Sequence, residues 1–255
     1  MKIKNNIIEI MIAVGVLLLL IYSSDPIMLP DTSRYLKSSL LDPPMYSSII
    51  TIMNSLFGSL KSVVIFQTLL IGFSIIFFIK TVSTILNLNN IIKFLVSLIL
   101  FLPTIKFYNN LLTEPISYAF SILFVSCIIK TIYNFNIQNL IWGTFFAVAL
   151  LLTRNQFMFL YPVIFLVFLG IFFVERSNKI KKWLILSFIG VFMFHNSIIF
   201  LNTYLNKDSV EKDYFITTSD DWIQSLTYVS LGPSYFVYLD AIYISNLEDI
   251  ELFED

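Results

Sequence analysis

The sequence predicts an all-α membrane protein, a polytopic bundle of about seven transmembrane helices with an interfacial helix in its first outer loop. Three observations predict it. Hydrophobic residues make up 57% of the 255 residues and charged residues 13%, against roughly 25% charged in soluble domains. Mean hydropathy is +0.83, and a soluble chain this apolar could not cover its surface with polar groups. The apolar residues also fall in long blocks matching the roughly 20 residues that a helix needs to cross the hydrocarbon core. The short alternating segments of a membrane barrel do not occur.

The blocks place helices at about 7–23, 62–80, 89–107, 115–133, 138–153, 156–174 and 183–202. The first has a basic N-terminus and could serve as a signal peptide, but six further spans follow it. A stretch at 224–245 is a poor eighth span, because Gly232, Pro233 and Asp240 interrupt it. The chain therefore divides into a transmembrane core, 1–202, and a tail, 203–255. Lysines and arginines set the orientation. With the N-terminus inside, nine fall on the cytoplasmic side and seven outside. The dense segment ERSNKIKK, between the sixth and seventh spans, decides for this arrangement. The tail then lies outside, with two lysines and eleven acids for a net charge of −9.

The loop 24–61 is long and patterned. Asp31 follows Pro30 in a helix N-cap context. Over 45–60, the residues Ile49, Ile50, Ile52, Met53, Leu56, Phe57 and Leu60 form an apolar stripe, as expected of a helix lying in the interface. Overall charge is near neutral, 16 basic against 17 acidic residues, and no basic stripe points to nucleic acid. The single Cys127 excludes an internal disulfide and a thiolate cluster. It reads as a small residue facing lipid or core. One histidine, His195, builds no metal site alone. With Asn196 it interrupts the seventh span, where interhelical hydrogen bonding is the expected role. No phosphate-binding loop or nucleophilic triad is visible.

Candidate chemistry therefore lies at the outer ends. Asp31 could act as a general base where water is partly excluded. Arg34 lies three residues on, sharing a helical face, and a guanidinium there could clamp a phosphate; the alternative is a solvated loop pair. Glu114 precedes Pro115, where simple helix capping competes with a catalytic role. Arg154 is tightly bracketed by apolar runs, a position that favours an anion contact or an interfacial anchor.

The motifs D-T-S-R-Y, L-D-P-P-M-Y, V-I-F-Q-T-L-L, L-L-T-E-P and L-L-T-R-N-Q-F-M-F-L-Y-P follow one another in this order over about residues 5–200. This series resembles the glycosyltransferase C superfamily of membrane enzymes, in particular the aminoarabinose lipid A transferases and the protein mannosyltransferases. The resemblance implies a seven-helix core with its active site on the outer face. It implies an inverting transfer from a polyprenyl-phosphate-linked sugar to a hydroxyl on a lipid, glycan or protein, with no cofactor. Asp31 would match the catalytic base and Glu114 a second acid. Arg34 and Arg154 would face the donor phosphate, with Tyr35, Asp42 and Tyr46 positioning acceptor or loop. The pattern usually has a basic residue where this chain has Asp42. Members also run well beyond 255 residues, so the chain reads as a truncated, split or degenerate member. Two other readings stand beside this one: a non-catalytic component of glycan assembly, and a transporter or flippase of lipid-linked precursors. The location expected is a prokaryotic cell membrane, with membrane lipids as neighbours.

Overall fold

The computed structural model describes residues 7–22, 25–29, 32–36, 42–174 and 177–205. Among these residues the regular structure is entirely helical. The helices are α1 (Ile7–Tyr22), α2 (Thr32–Leu36), α3 (Pro44–Phe57), α4 (Lys61–Leu86), α5 (Asn90–Phe101), α6 (Glu114–Tyr133), α7 (Ile137–Leu151), α8 (Leu160–Val174) and α9 (Asn178–Leu205). Two 3-10 helices, Leu102–Lys106 and Asn155–Phe159, lead out of α5 and into α8. The tail 206–255, with the stretch 224–245, lies outside the described residues.

Local chemistry sets most of the boundaries. Helix α3 starts on Pro44, where a missing N–H costs nothing, and stops at Gly58. That glycine takes φ 65°, and its N–H returns to the Asn54 carbonyl at 2.8 Å. The Asn89 and Asn136 side chains cap α5 and α7, accepting from the N–H groups of Ile92 and Gln138 at 2.9 Å. Helix α4 ends at Leu86, six residues beyond the expected end of that span, and Asn87 caps it in the left-handed region at φ 49°.

Among the described residues, four stretches are long and apolar enough to cross a membrane: Lys61–Leu86, Glu114–Tyr133, Asn155–Phe173 and Asn178–Asn202. Ile7–Ile21 and Ile137–Leu151 are apolar but shorter. The expected span over 89–107 is not one α-helix. Pro103 sits at the start of the 3-10 segment, where it removes an N–H and crowds the preceding turn. The α-helix there is 12 residues long, about 18 Å at 1.5 Å per residue.

The helices alternate in direction. In the antiparallel pair α1 and α4, Glu9 meets Lys80 at 3.0 Å and Val16 lies on Gly72. Helices α6 and α7 are antiparallel through Cys127 against Gly143 and Phe120 against Phe146; Cys127 is thus buried in the core. Helices α8 and α9 run antiparallel through Phe165 with Phe188, and Tyr161 with His195. The Tyr161 hydroxyl and His195 Nδ1 are 2.6 Å apart, the interhelical bond expected of this buried histidine. One end of the bundle therefore carries Glu9, Lys80 and Lys130, with exposed Tyr133, Trp142 and Trp183 on nearby turns. Such aromatics suit a membrane–water boundary. The opposite end carries Lys61, Asn110, Glu114 and Arg154.

Helix α3 is helical as the stripe over 45–60 predicts, and the residues of that stripe differ in burial. Ile50 is buried while Ile52, Leu56 and Phe57 are exposed.

The contact of α1 with α4 yields a stability prediction. A Cβ on Gly72 would stand 2.5 Å from Val16 Cγ2 and 3.6 Å from Val16 Cβ. Valine is stiff in a helix, so the overlap is not relieved by rotation. Gly72→Ala should destabilise the protein by about 1–3 kcal/mol, the usual range for overpacking. Val16→Ala should relieve the clash, so the double variant should melt above Gly72→Ala alone. Thermal unfolding in detergent checks this; equal melting of the two would refute the packing.

Candidate active site

At the Arg154 end, the segments linking the helices are tied to one another by backbone bonds. The Ile27 N–H donates to the Asn109 carbonyl at 2.9 Å, and the Leu111 N–H donates to the Ile27 carbonyl at 3.0 Å. These bonds hold residues 25–29 beside the turn leading into α6. Thr32 extends the link. Its hydroxyl donates to the Leu111 carbonyl at 3.0 Å and accepts from the Leu29 N–H at 2.9 Å. Gln67, fully buried on α4, holds the same turn from below. Its Nε2 donates to the carbonyls of Tyr108 at 2.5 Å and Asn110 at 3.0 Å. Backbone carbonyls outside regular structure need such donors when buried, which accounts for a glutamine inside V-I-F-Q-T-L-L.

The other wall comes from α3. The Met45 N–H donates to the Leu152 carbonyl at 3.0 Å, which seats the first turn of α3 on the end of α7. Tyr46 is thereby fully buried, and its ring meets that of Tyr35 edge to face at 5.2 Å. Two residues beyond Leu152, Arg154 crosses to α6, and its Nη1 donates to Glu114 Oε1 at 2.6 Å. The pair is partly open, with side-chain exposures of 28% for Arg154 and 41% for Glu114.

Several polar atoms at this end of the bundle are left unpartnered. Among the described residues, Tyr46 Oη, Thr113 Oγ1, Glu114 Oε2 and Gln67 Oε1 are buried without a hydrogen-bond partner. Thr113 stands at the N-cap of α6 but takes helical angles, φ −72° and ψ −21°, and its side chain makes no capping bond. A capping side chain normally needs extended backbone there, so its hydroxyl is left for another use. Burial pushes the Tyr46 phenol well above its usual pKa, and the nearby Tyr35 and Glu114 add to the shift. It stays a neutral hydrogen-bond donor throughout the physiological range.

No family model, curated protein or solved structure matches this chain.

Of the residues singled out in the sequence, the structure brings Glu114 to Arg154 and Tyr35 to Tyr46. Asp42 is half-buried in the bend just before α3. Arg34 lies on α2, with its side chain outside the described residues. Asp31 lies outside them too. Three residues that the sequence did not mark as functional shape this end: Thr32, Gln67 and Thr113. For Gln67 and Thr113 the signal was faint, a polar side chain within or beside an apolar run, and Thr32 stood among the polar residues of D-T-S-R-Y. Among the described residues, no cluster of histidine, cysteine, aspartate and glutamate could hold a metal ion.

The arrangement offers a carboxylate oxygen as acceptor, two neutral hydroxyls and a guanidinium. A guanidinium has five N–H donors, and the bond to Glu114 engages one of them. Such a set can bind a polar group that carries both hydroxyls and an anion.

Proposed function

We propose that this protein is a membrane glycosyltransferase of the glycosyltransferase C type. It moves a sugar from a polyprenyl-phosphate donor to an acceptor hydroxyl on the outer membrane face. In this reading the bundle spans the bilayer seven times, with the N-terminus in the cytoplasm and the Arg154 end outward. The observation that carries it is the Glu114–Arg154 pair, standing among buried, unpartnered polar atoms at the end of the bundle where the first loop is tied down. Simple surface charges would not sit among buried hydroxyls, whose burial is costly unless a ligand or water completes them.

The chemistry follows from the residue types. Asp31 is one peptide unit from Thr32, which bonds to Leu111, three residues before Glu114. As general base, Asp31 takes the proton of the acceptor hydroxyl. The freed oxygen attacks the anomeric carbon and the bond from that carbon to the phosphate oxygen breaks. Its electron pair leaves with the lipid phosphate. Arg154 and Arg34 offset the charge that develops there, an effect worth most in a site with little water. Attack from the face opposite the leaving phosphate makes the transfer inverting.

The test is turnover by the purified protein in proteoliposomes. A panel of polyprenyl-phosphate hexoses is supplied with mixed lipid and peptide acceptors, and release of free polyprenyl phosphate is followed. The reading predicts release with at least one donor that depends on acceptor. Absence of release across the whole panel would contradict it.

A further inference from the structure

The buried hydroxyls beside the Glu114–Arg154 pair are not used by the transfer step described above. Tyr46 and Thr113 are 0% and 1% exposed, yet neither hydroxyl has a partner among the described residues. Two independent links place them together. Thr113 is the neighbour of Glu114 in the chain. Tyr46 follows Met45, whose N–H is bonded to Leu152, two residues before the arginine that holds Glu114. The second Glu114 oxygen, Oε2, is buried and unpartnered as well, and the Glu114 carboxylate is near enough to act on the Tyr46 phenol. Native proteins leave few buried polar atoms unmatched, so several in one neighbourhood mark a place where a partner arrives.

The chemistry of that partner is constrained by what the atoms can do. The carboxylate oxygen accepts, while each hydroxyl can donate and accept. A phosphate is acceptor-only and would be repelled by Glu114 Oε2. An ammonium is donor-only and would leave the proton of the phenol unmatched. Vicinal alcohol groups fit all three, donating to Oε2 and accepting from Tyr46 and Thr113. The adjacent Arg154 has N–H groups beyond the one that Glu114 engages, suited to a phosphate bonded to the same ring.

We propose that Tyr46, Thr113 and Glu114 Oε2 form the subsite that recognises the hydroxyl groups of the donor's sugar. Glu114 is thus a specificity residue rather than a second base. The proposal rests on the lipid-linked donor inferred above.

Affinity measurements on the protein in lipid nanodiscs test it. The probes are farnesyl phosphate and its glucosyl, mannosyl and galactosyl esters, compared in wild type, Tyr46→Phe and Thr113→Val. Wild type should bind at least one sugar ester about tenfold more tightly than farnesyl phosphate. Each variant should lose about 3–10-fold in affinity for that ester, the loss of roughly one hydrogen bond, and bind farnesyl phosphate unchanged. Sugar discrimination equal to wild type in both variants overturns the subsite. So does a parallel loss for the ester and farnesyl phosphate, which marks a structural role. If wild type binds farnesyl phosphate but none of its esters more tightly, the subsite falls while the glycosyltransferase reading stands. Binding of neither kind of probe overturns both. Should Tyr46→Phe fail to fold, Thr113→Val decides, since it keeps shape and removes the same type of group.

Discussion

On the proposed mechanism, Asp31→Asn is expected to lower sugar transfer by about a hundredfold to ten-thousandfold, the usual contribution of a positioned general base. Asparagine keeps the size of aspartate and its ability to accept hydrogen bonds, but it cannot take up a proton. The protein should remain inserted and folded, because among the described residues Ile27, Leu29 and Thr32 already tie this loop down. Donor affinity should change little, since the base acts on the acceptor. The check is single-turnover transfer with the donor bound, beside a melting curve of the same preparation. Retained transfer would remove Asp31 as base and most of the mechanism with it.

Removing the guanidinium should have the second-largest effect. Arg154→Ala is expected to lower transfer by about a hundredfold to a thousandfold, the usual loss on deleting one group that stabilises developing negative charge. It should also reduce stability, because Glu114 loses its 2.6 Å partner. The pair is neither fully exposed nor fully buried. The cost lies between the near-zero value of a surface pair and the several kcal/mol of a buried one, on the order of 1–2 kcal/mol. Reversing the pair separates the two roles. The double variant Arg154→Glu with Glu114→Arg should recover stability but not transfer, since its cation no longer stands where the proposed mechanism has the phosphate leave. Recovery of both would make the pair a structural tie.

The helices were legible in the sequence because their signals are local. A block of apolar residues bounded by Asn89, Asn136, Gly58 or Pro115 fixes an element within a few residues, and α1, α6 and α7 lie close to their expected limits. Two departures came from effects that average hydropathy does not carry. Pro103 breaks the apolar block over 89–107, although it barely lowers its hydropathy. Helix α9 begins at Asn178 because Lys179, Lys181 and Lys182 are good helix formers and extend the helix beyond its apolar part. Lys181 also lies over the Phe172 ring at 4.7 Å.

The candidate site was legible in part. Glu114 and Arg154 stood out as charges at the edges of apolar runs. Their contact joins residues 40 apart and comes from the antiparallel packing of α6 on α7. Gln67 and Thr113 were hidden for another reason. A glutamine or threonine in an apolar run is ordinary in sequence. Its meaning here depends on the three-dimensional partners it has or lacks.

The proposed reaction requires the Arg154 end of the bundle to face outward, and sided cysteine labelling tests that most directly. Ser59, just before α4, is exposed at the Arg154 end, and Asn134, just after α6, is exposed at the opposite end. Each is replaced by cysteine in a Cys127→Ala background and intact cells are treated with a membrane-impermeant maleimide. An outward site predicts labelling of the cysteine at 59 and protection of the cysteine at 134 until the cells are opened. Labelling of 134 with protection of 59 would turn the Glu114–Arg154 site toward the cytoplasm and contradict transfer on the outer face.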